Sequence, residues 1–123
     1  MKTFLRTLAK FNDYEGRATR LEFWVFMVGF LLFQILFLSI LPFVKNASEA
    51  LRVLWMMVYA LMLVPFFSVS MRRLHDAGRT GAWLILLFIP VGWPVLLIWF
   101  IWPSNSGWNE YGPQPSNGSD SEN

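Results

Sequence analysis

Cysteine is absent from the 123 residues, which excludes disulfides, thiolate metal sites and cysteine nucleophiles. Histidine occurs once, as His75, so a metal site would have to rest on carboxylates around a single imidazole. Charge is scarce as well: 15% of residues are Asp, Glu, Lys or Arg, against 55% hydrophobic and 18% aromatic. A soluble domain of this length has too little interior to keep that much apolar surface from water, so lipid must cover some of it. The length fits one domain.

The missing charges are missing in blocks. Charge-free runs occupy 23–44, 53–71 and 80–109, and the apolar part of the last is 82–102. A bilayer core of roughly 30 Å needs about 20 helical residues. Each run therefore suffices for one crossing, and the pattern predicts an all-α integral membrane bundle with spans at about 21–43, 51–71 and 82–102. Thr19-Arg20-Leu21-Glu22 has the form of a capping box at the start of the first span, and Pro42 is expected to end that span. About twenty residues precede the first run, too many for a cleaved signal peptide. The third run contains Pro90, Gly92 and Pro94. Its thirteen Leu, Ile, Phe and Val residues, at roughly −0.3 to −0.6 kcal/mol each, favour insertion enough to outweigh those breaks. The break also permits a second topology, in which the run turns back as two half-helices.

Lys and Arg mark the cytoplasmic side of short loops. Lys2, Arg6, Lys10, Arg17 and Arg20 precede the first span, and Arg72, Arg73 and Arg79 follow the second; only Lys45 and Arg52 lie opposite. The expectation is a cytoplasmic N-terminus and, with three full spans, a periplasmic or external C-terminus. Two half-helices would instead return the C-terminus to the cytoplasm. At 100° per residue Lys2, Arg6 and Lys10 share one side of a short amphipathic helix and Phe4, Leu5, Leu8 and Phe11 another, as suits contact with an anionic leaflet. This anchoring leaves no need for nucleic acid as a partner. Residues 1–115 form the expected membrane domain, and 116–123 read as a disordered polar tail.

Outside the spans three polar groups remain. Gly16-Arg17-Ala18 leads through Arg20 to Glu22; Arg72-Arg73-Leu74-His75-Asp76 leads to Arg79; and Asn109, Tyr111, Gly112 and Pro113 follow the third run. Glu22 lies just inside the membrane edge, where a lone carboxylate is costly, so Arg72, Arg73 or Arg79 is its expected partner in a clasp between spans. The competing reading makes the arginines an anion or lipid-headgroup site, with His75 as a titrating group. Adjacent side chains such as His75 and Asp76 seldom face each other, and no nucleophile accompanies them. No catalytic residue, metal or cofactor is therefore expected. Within the spans Gln34, Ser39, Ser68 and Ser70 read as interhelical hydrogen-bonding groups. Trp24 and Trp83 read as inner-edge anchors and Trp102 as an outer one.

The order and spacing of these groups resemble one family along nearly the whole chain, about 11–115. Gly16-Arg17-Ala18, Glu22-Phe23-Trp24, Arg72-Arg73-Leu74-His75-Asp76, Arg79, Gly81, Trp83, Ile89-Pro90, Gly92, Asn109, Tyr111-Gly112-Pro113 and Pro115 are similar to the bacterial domain of unknown function 805, which includes the YhaH-like inner-membrane proteins. Ala82 departs from it, standing where the family often has an aromatic. The resemblance implies a multi-pass bacterial inner-membrane protein and no particular activity. Three kinds of function follow: a structural or regulatory component acting through partners or a homo-oligomer; a small transport or lipid-binding protein; and, third, an enzyme acting on a headgroup.

Overall fold

The computed structural model describes residues 1–115, and the predicted tail at 116–123 lies outside the described residues. The chain forms α1 (Lys2–Ala9), α2 (Arg20–Lys45), α3 (Glu49–Asp76), a 3-10 helix (Gly81–Phe88) and α4 (Gly92–Ile101). Among the described residues extended pairing is limited to one bridge, Asn109 to Gly112. The fold is all-α.

Among the described residues two helices are long and apolar enough to cross a membrane. At 1.5 Å per residue, the 26 residues of α2 and 28 of α3 extend about 39 and 42 Å, beyond a bilayer core of roughly 30 Å. Thr19 caps α2 by accepting a hydrogen bond from the Glu22 N–H at 3.0 Å. The other half of the expected box is missing, because the Glu22 carboxylate turns to Arg72. Pro42 does not end α2; it lies within the last turn before Lys45. α3 runs five residues beyond 71, so Arg72, Arg73, His75 and Asp76 occupy its last turns rather than a loop. Internal partners for these groups let a helix carry charges that an exposed loop was expected to hold.

The three-residue turn 46–48 folds α3 back against α2. Phe30 meets Phe66 at 5.0 Å and Phe37 stacks on Trp55 at 3.6 Å between ring centroids, while Gln34 Nε2 donates to Tyr59 at 3.1 Å. α1 lies against α2: Phe4 stacks on Phe26 at 5.6 Å and presses on Gly29, where an added Cβ would come within 2.4 Å of the Phe4 ring. Lys2, Arg6 and Lys10 remain exposed.

The third apolar run is not one helix. The 3-10 helix has eight residues and α4 ten, so they rise about 16 and 15 Å, half a bilayer core each. Between them the chain reverses at Ile89-Pro90-Val91. Gly92 permits the reversal: a Cβ there would come within 2.6 Å of Leu86 Cβ and 2.8 Å of its carbonyl oxygen. Trp93 Nε1 donates to the Leu87 carbonyl at 2.8 Å, satisfying a group near the break. The chain then comes home, and the Asn105 N–H donates to the Asp76 carbonyl at 2.8 Å. The single span expected at 82–102 is replaced by the hairpin of half-helices, because Pro90 and Pro94 remove backbone donors where a continuous helix needs them.

All five elements meet at one end, around a core of Phe23, Phe26, Phe30, Val69, Leu74, Leu84, Leu96 and Phe100. At the other end α2 and α3 stand alone with Leu32, Leu36, Met56 and Leu61 exposed, a surface that suits lipid.

Candidate functional site

The crowded end carries the polar groups. The extended residues before α2 run beside the end of α3, with the Ala18 N–H donating to the Arg72 carbonyl at 3.0 Å. The segment after α4 closes over both. All three sequence groups come together here, although full spans would have separated the third.

Asp76 is the centre. Its side chain is fully buried, and one carboxylate oxygen faces Arg17 Nη2 at 3.0 Å while the other accepts from Arg73 and Ser104. Arg17, 1% exposed at its side chain, also donates to the Gly107 carbonyl at 2.8 Å, the Gly112 carbonyl at 3.2 Å and the Asn105 carbonyl. Arg73 donates from Nε to the Phe100 carbonyl at 3.0 Å and from Nη2 to that of Trp102. Those oxygens end α4, where carbonyls lack helical partners and the helix dipole favours a cation. Trp102 thus sits beside Arg73 at the same end of the bundle as Trp24 and Trp83, not at the opposite end from them. Glu22 pairs with Arg72 at 2.7 Å, with Thr7 Oγ1 at 3.4 Å from the same oxygen. Arg72 Nε and Nη2 are buried with no partner among the described residues. Three buried guanidinium groups face two carboxylates, and backbone oxygens take up most of the imbalance.

His75 is held separately. Its Nδ1 lies 3.1 Å from the Gly16 carbonyl, its own carbonyl accepts from Asn109 Nδ2 at 2.9 Å, and its ring stacks on Tyr111 at 3.9 Å with 2° between planes. Asp76 is committed to arginines, so the adjacent pair forms no dyad. Arg79 is exposed and lies 4.5 Å above the Trp99 ring, a cation–π contact rather than a partner for Glu22. Arg20 is exposed and its side chain makes no hydrogen bond or ion pair among the described residues; Pro113 is exposed beside Gly112. Among the described residues no three His, Asp or Glu side chains gather as a metal would require.

Several members were not singled out from sequence. Asp13 Oδ1 accepts from the Glu15 and Gly16 N–H groups, and an Asp before a glycine-bearing turn is a usable signal. Ser104, Asn105 and Gly107 carry no local signal, since their roles exist only because α4 returns. Ser68 was expected to bond between helices; its hydroxyl instead lies 3.0 and 2.8 Å from the Lys10 and Asp13 carbonyls of the α1–α2 connection. Apart from the polar centre, an apolar cavity of about 240 Å³ opens between α2 and the hairpin, lined by Trp24, Met27, Phe66, Leu87, Trp93 and Leu97 among others.

Two helices long and apolar enough to cross a membrane, a hairpin of two shorter helices and a polar cap at one end make up an all-helical protein with candidate membrane spans. The chain belongs to the family described as protein of unknown function DUF805, whose model matches residues 11–113. It is similar to inner membrane protein YhaI of Escherichia coli K12, at 35% identity over 97% of this chain and 99% of that protein. It is also similar to inner membrane protein YhaH of the same strain, at 29% identity over 94% of this chain and 97% of that protein. No solved structure matches.

Proposed function

We propose that this is a multi-pass component of the bacterial inner membrane that performs no chemistry and acts through its apolar surface, on partners or on further copies of itself. The polar cluster is the clasp that gives that surface its shape. One observation carries the reading: the groups that looked most like a binding or catalytic set, Arg17, Arg73 and Asp76, are turned inward and engaged with one another or with backbone carbonyls. A catalytic or transport set needs a member left available to substrate. The membrane location rests on the relatives' own description and on the exposed apolar residues of α2 and α3.

In this reading α2 and α3 are the full spans, and the hairpin enters and leaves by one leaflet. Eight of the ten cations lie at the crowded end and Lys45 and Arg52 at the other, so the crowded end, with α1 and the segment 103–115, faces the cytoplasm. Lys2, Arg6 and Lys10 then meet anionic headgroups.

The test exploits the absence of native cysteine. Leu32→Cys, Leu36→Cys and Leu61→Cys variants, oxidised in native membranes, should give a discrete cross-linked species from one helix face and none from the opposite face. Monomer from every position, together with turnover of a phospholipid headgroup that His75→Ala abolishes without unfolding, would refute the proposal. A second reading keeps one observation in its favour: the unpartnered Arg72 Nε and Nη2 would accommodate a headgroup or phosphate oxygen. It predicts that Arg72→Lys lowers affinity for anionic lipid while preserving the fold.

A further inference from the structure

Beside the clasp lies a pocket of about 380 Å³ lined by Tyr14, Glu15, His75, Glu110 and Tyr111. None of its four outer residues is engaged in the arginine network. Tyr14-Glu15 and Glu110-Tyr111 are two aromatic–acidic pairs from opposite ends of the chain, and each is presented by a turn with a side-chain brace. Asp13 Oδ1 accepts from the Glu15 and Gly16 N–H groups at 3.3 and 3.2 Å. Asn109 Oδ1 accepts from the Tyr111 N–H at 2.9 Å, and the Asn109–Gly112 bridge closes the second turn. Both turns are tied to the same residue between them: the Gly16 carbonyl meets His75 Nδ1, and Asn109 Nδ2 meets the His75 carbonyl.

His75 is 7% exposed, whereas Glu15 and Glu110 are exposed, so the imidazole forms the floor and the carboxylates the rim. In the neutral imidazole, Nδ1 donating to the Gly16 carbonyl leaves Nε2 as an acceptor, with no hydrogen-bond partner among the described residues. The pocket therefore offers two negative charges, one acceptor on a largely buried imidazole and two aromatic rings. An anion would be repelled. A metal would need a tighter set of ligands than these residues form. A neutral ligand would leave the carboxylates uncompensated on closing over them.

We infer that this pocket binds a small organic cation, an alkylammonium or guanidinium group, with Glu15 and Glu110 as counter-ions, His75 Nε2 as acceptor and Tyr14 and Tyr111 as aromatic walls. Ring faces attract such cations, and the volume lies within the range of small-ligand sites. The site lies on an otherwise basic face, so its selectivity for cations comes from the two turns and not from the surrounding field. This assignment is independent of the membrane orientation proposed above.

Calorimetric titration of the full chain in a non-ionic detergent tests it, with 1,4-diaminobutane, tetramethylammonium, N-acetyl-lysine amide, sodium chloride and inorganic phosphate as separate probes. Saturable binding of the amines, absent with sodium or phosphate, is expected. The Glu15→Gln/Glu110→Gln double variant should weaken it at least about tenfold, and Tyr14→Leu roughly two- to fivefold. Both carboxylates are exposed, so helicity should be unchanged. Glu49→Gln, at the far end of the bundle, should bind like the parent. Tighter binding of diaminobutane than of the lysine amide assigns the site to a free amine; the reverse assigns it to a side chain of a partner. No amine binding up to about 10 mM, equal weakening by Glu49→Gln, or phosphate binding in place of amine would each overturn the assignment.

Discussion

Replacing Arg17 should undo the clasp before it disturbs the long helices. The side chain is 1% exposed and makes five hydrogen bonds, two with Asp76 and three with carbonyls of the segment after α4. Removing one member of a buried pair typically costs about 3–5 kcal/mol, mostly because the remaining charge is left uncompensated. Arg17→Ala is placed in that range. Arg17→Lys keeps the charge near Asp76 but loses the planar fork that reaches Asn105, Gly107 and Gly112 together, and should cost about half as much. Asp76→Asn should be the most damaging, since it strips the counter-ion from Arg17 and Arg73 at once. Equilibrium unfolding in mixed micelles, followed by tryptophan fluorescence, gives the ranking. Limited digestion with a protease specific for glutamate gives the location: cleavage after Glu110 should accelerate in Arg17→Ala while cleavage after Glu49 does not. An Arg17→Ala protein within about 0.5 kcal/mol of the parent, a size usual for neutral surface changes, would refute the reasoning.

Three glycines give further tests. Gly29→Leu should lift α1 from α2, because even a Cβ there meets the Phe4 ring at 2.4 Å; faster trypsin cleavage at Arg6 and Lys10 is the readout. Gly92→Val should pry the hairpin apart against Leu86, whose carbonyl oxygen is backbone and has no rotamer to yield, and lower the unfolding midpoint more than Gly107→Val. Gly78 has φ +73°, and an added Cβ would lie 2.2 Å from Asn105 Nδ2. Gly78→Ala should therefore cost at least about 1–3 kcal/mol in the same unfolding assay.

Much of the molecule was readable from its charge gaps. The first two runs became α2 and α3, and the cost of a lone carboxylate at the membrane edge correctly pointed from Glu22 to the arginines, with Arg72 as the partner. The third run was long enough and apolar enough to span, and additive insertion energies said it would. They sum side chains over an assumed continuous helix, whereas Gly92 and two prolines change which backbone is available. The division of this run into two short helices was present in the sequence only as an alternative. Arg72 to Asp76 were assigned to a loop because charge ordinarily ends a span; the carbonyls that satisfy Arg73 come from Phe100 and Trp102, about thirty residues later, and no local pattern announces them. Asn109, Tyr111 and Gly112 were singled out as a group, but their contacts with His75 and Arg17 follow only once the hairpin returns.

Thiol labelling across the membrane tests most directly whether the hairpin brings the third polar group to the side of the first two. Ser106→Cys and, as a reference in the α2–α3 turn, Ala47→Cys are exposed to a membrane-impermeant maleimide in intact cells. The hairpin predicts labelling at position 47 and none at position 106 until the cells are opened. Labelling at both positions in intact cells would contradict it, restoring three full spans and separating Asn109 and Tyr111 from His75.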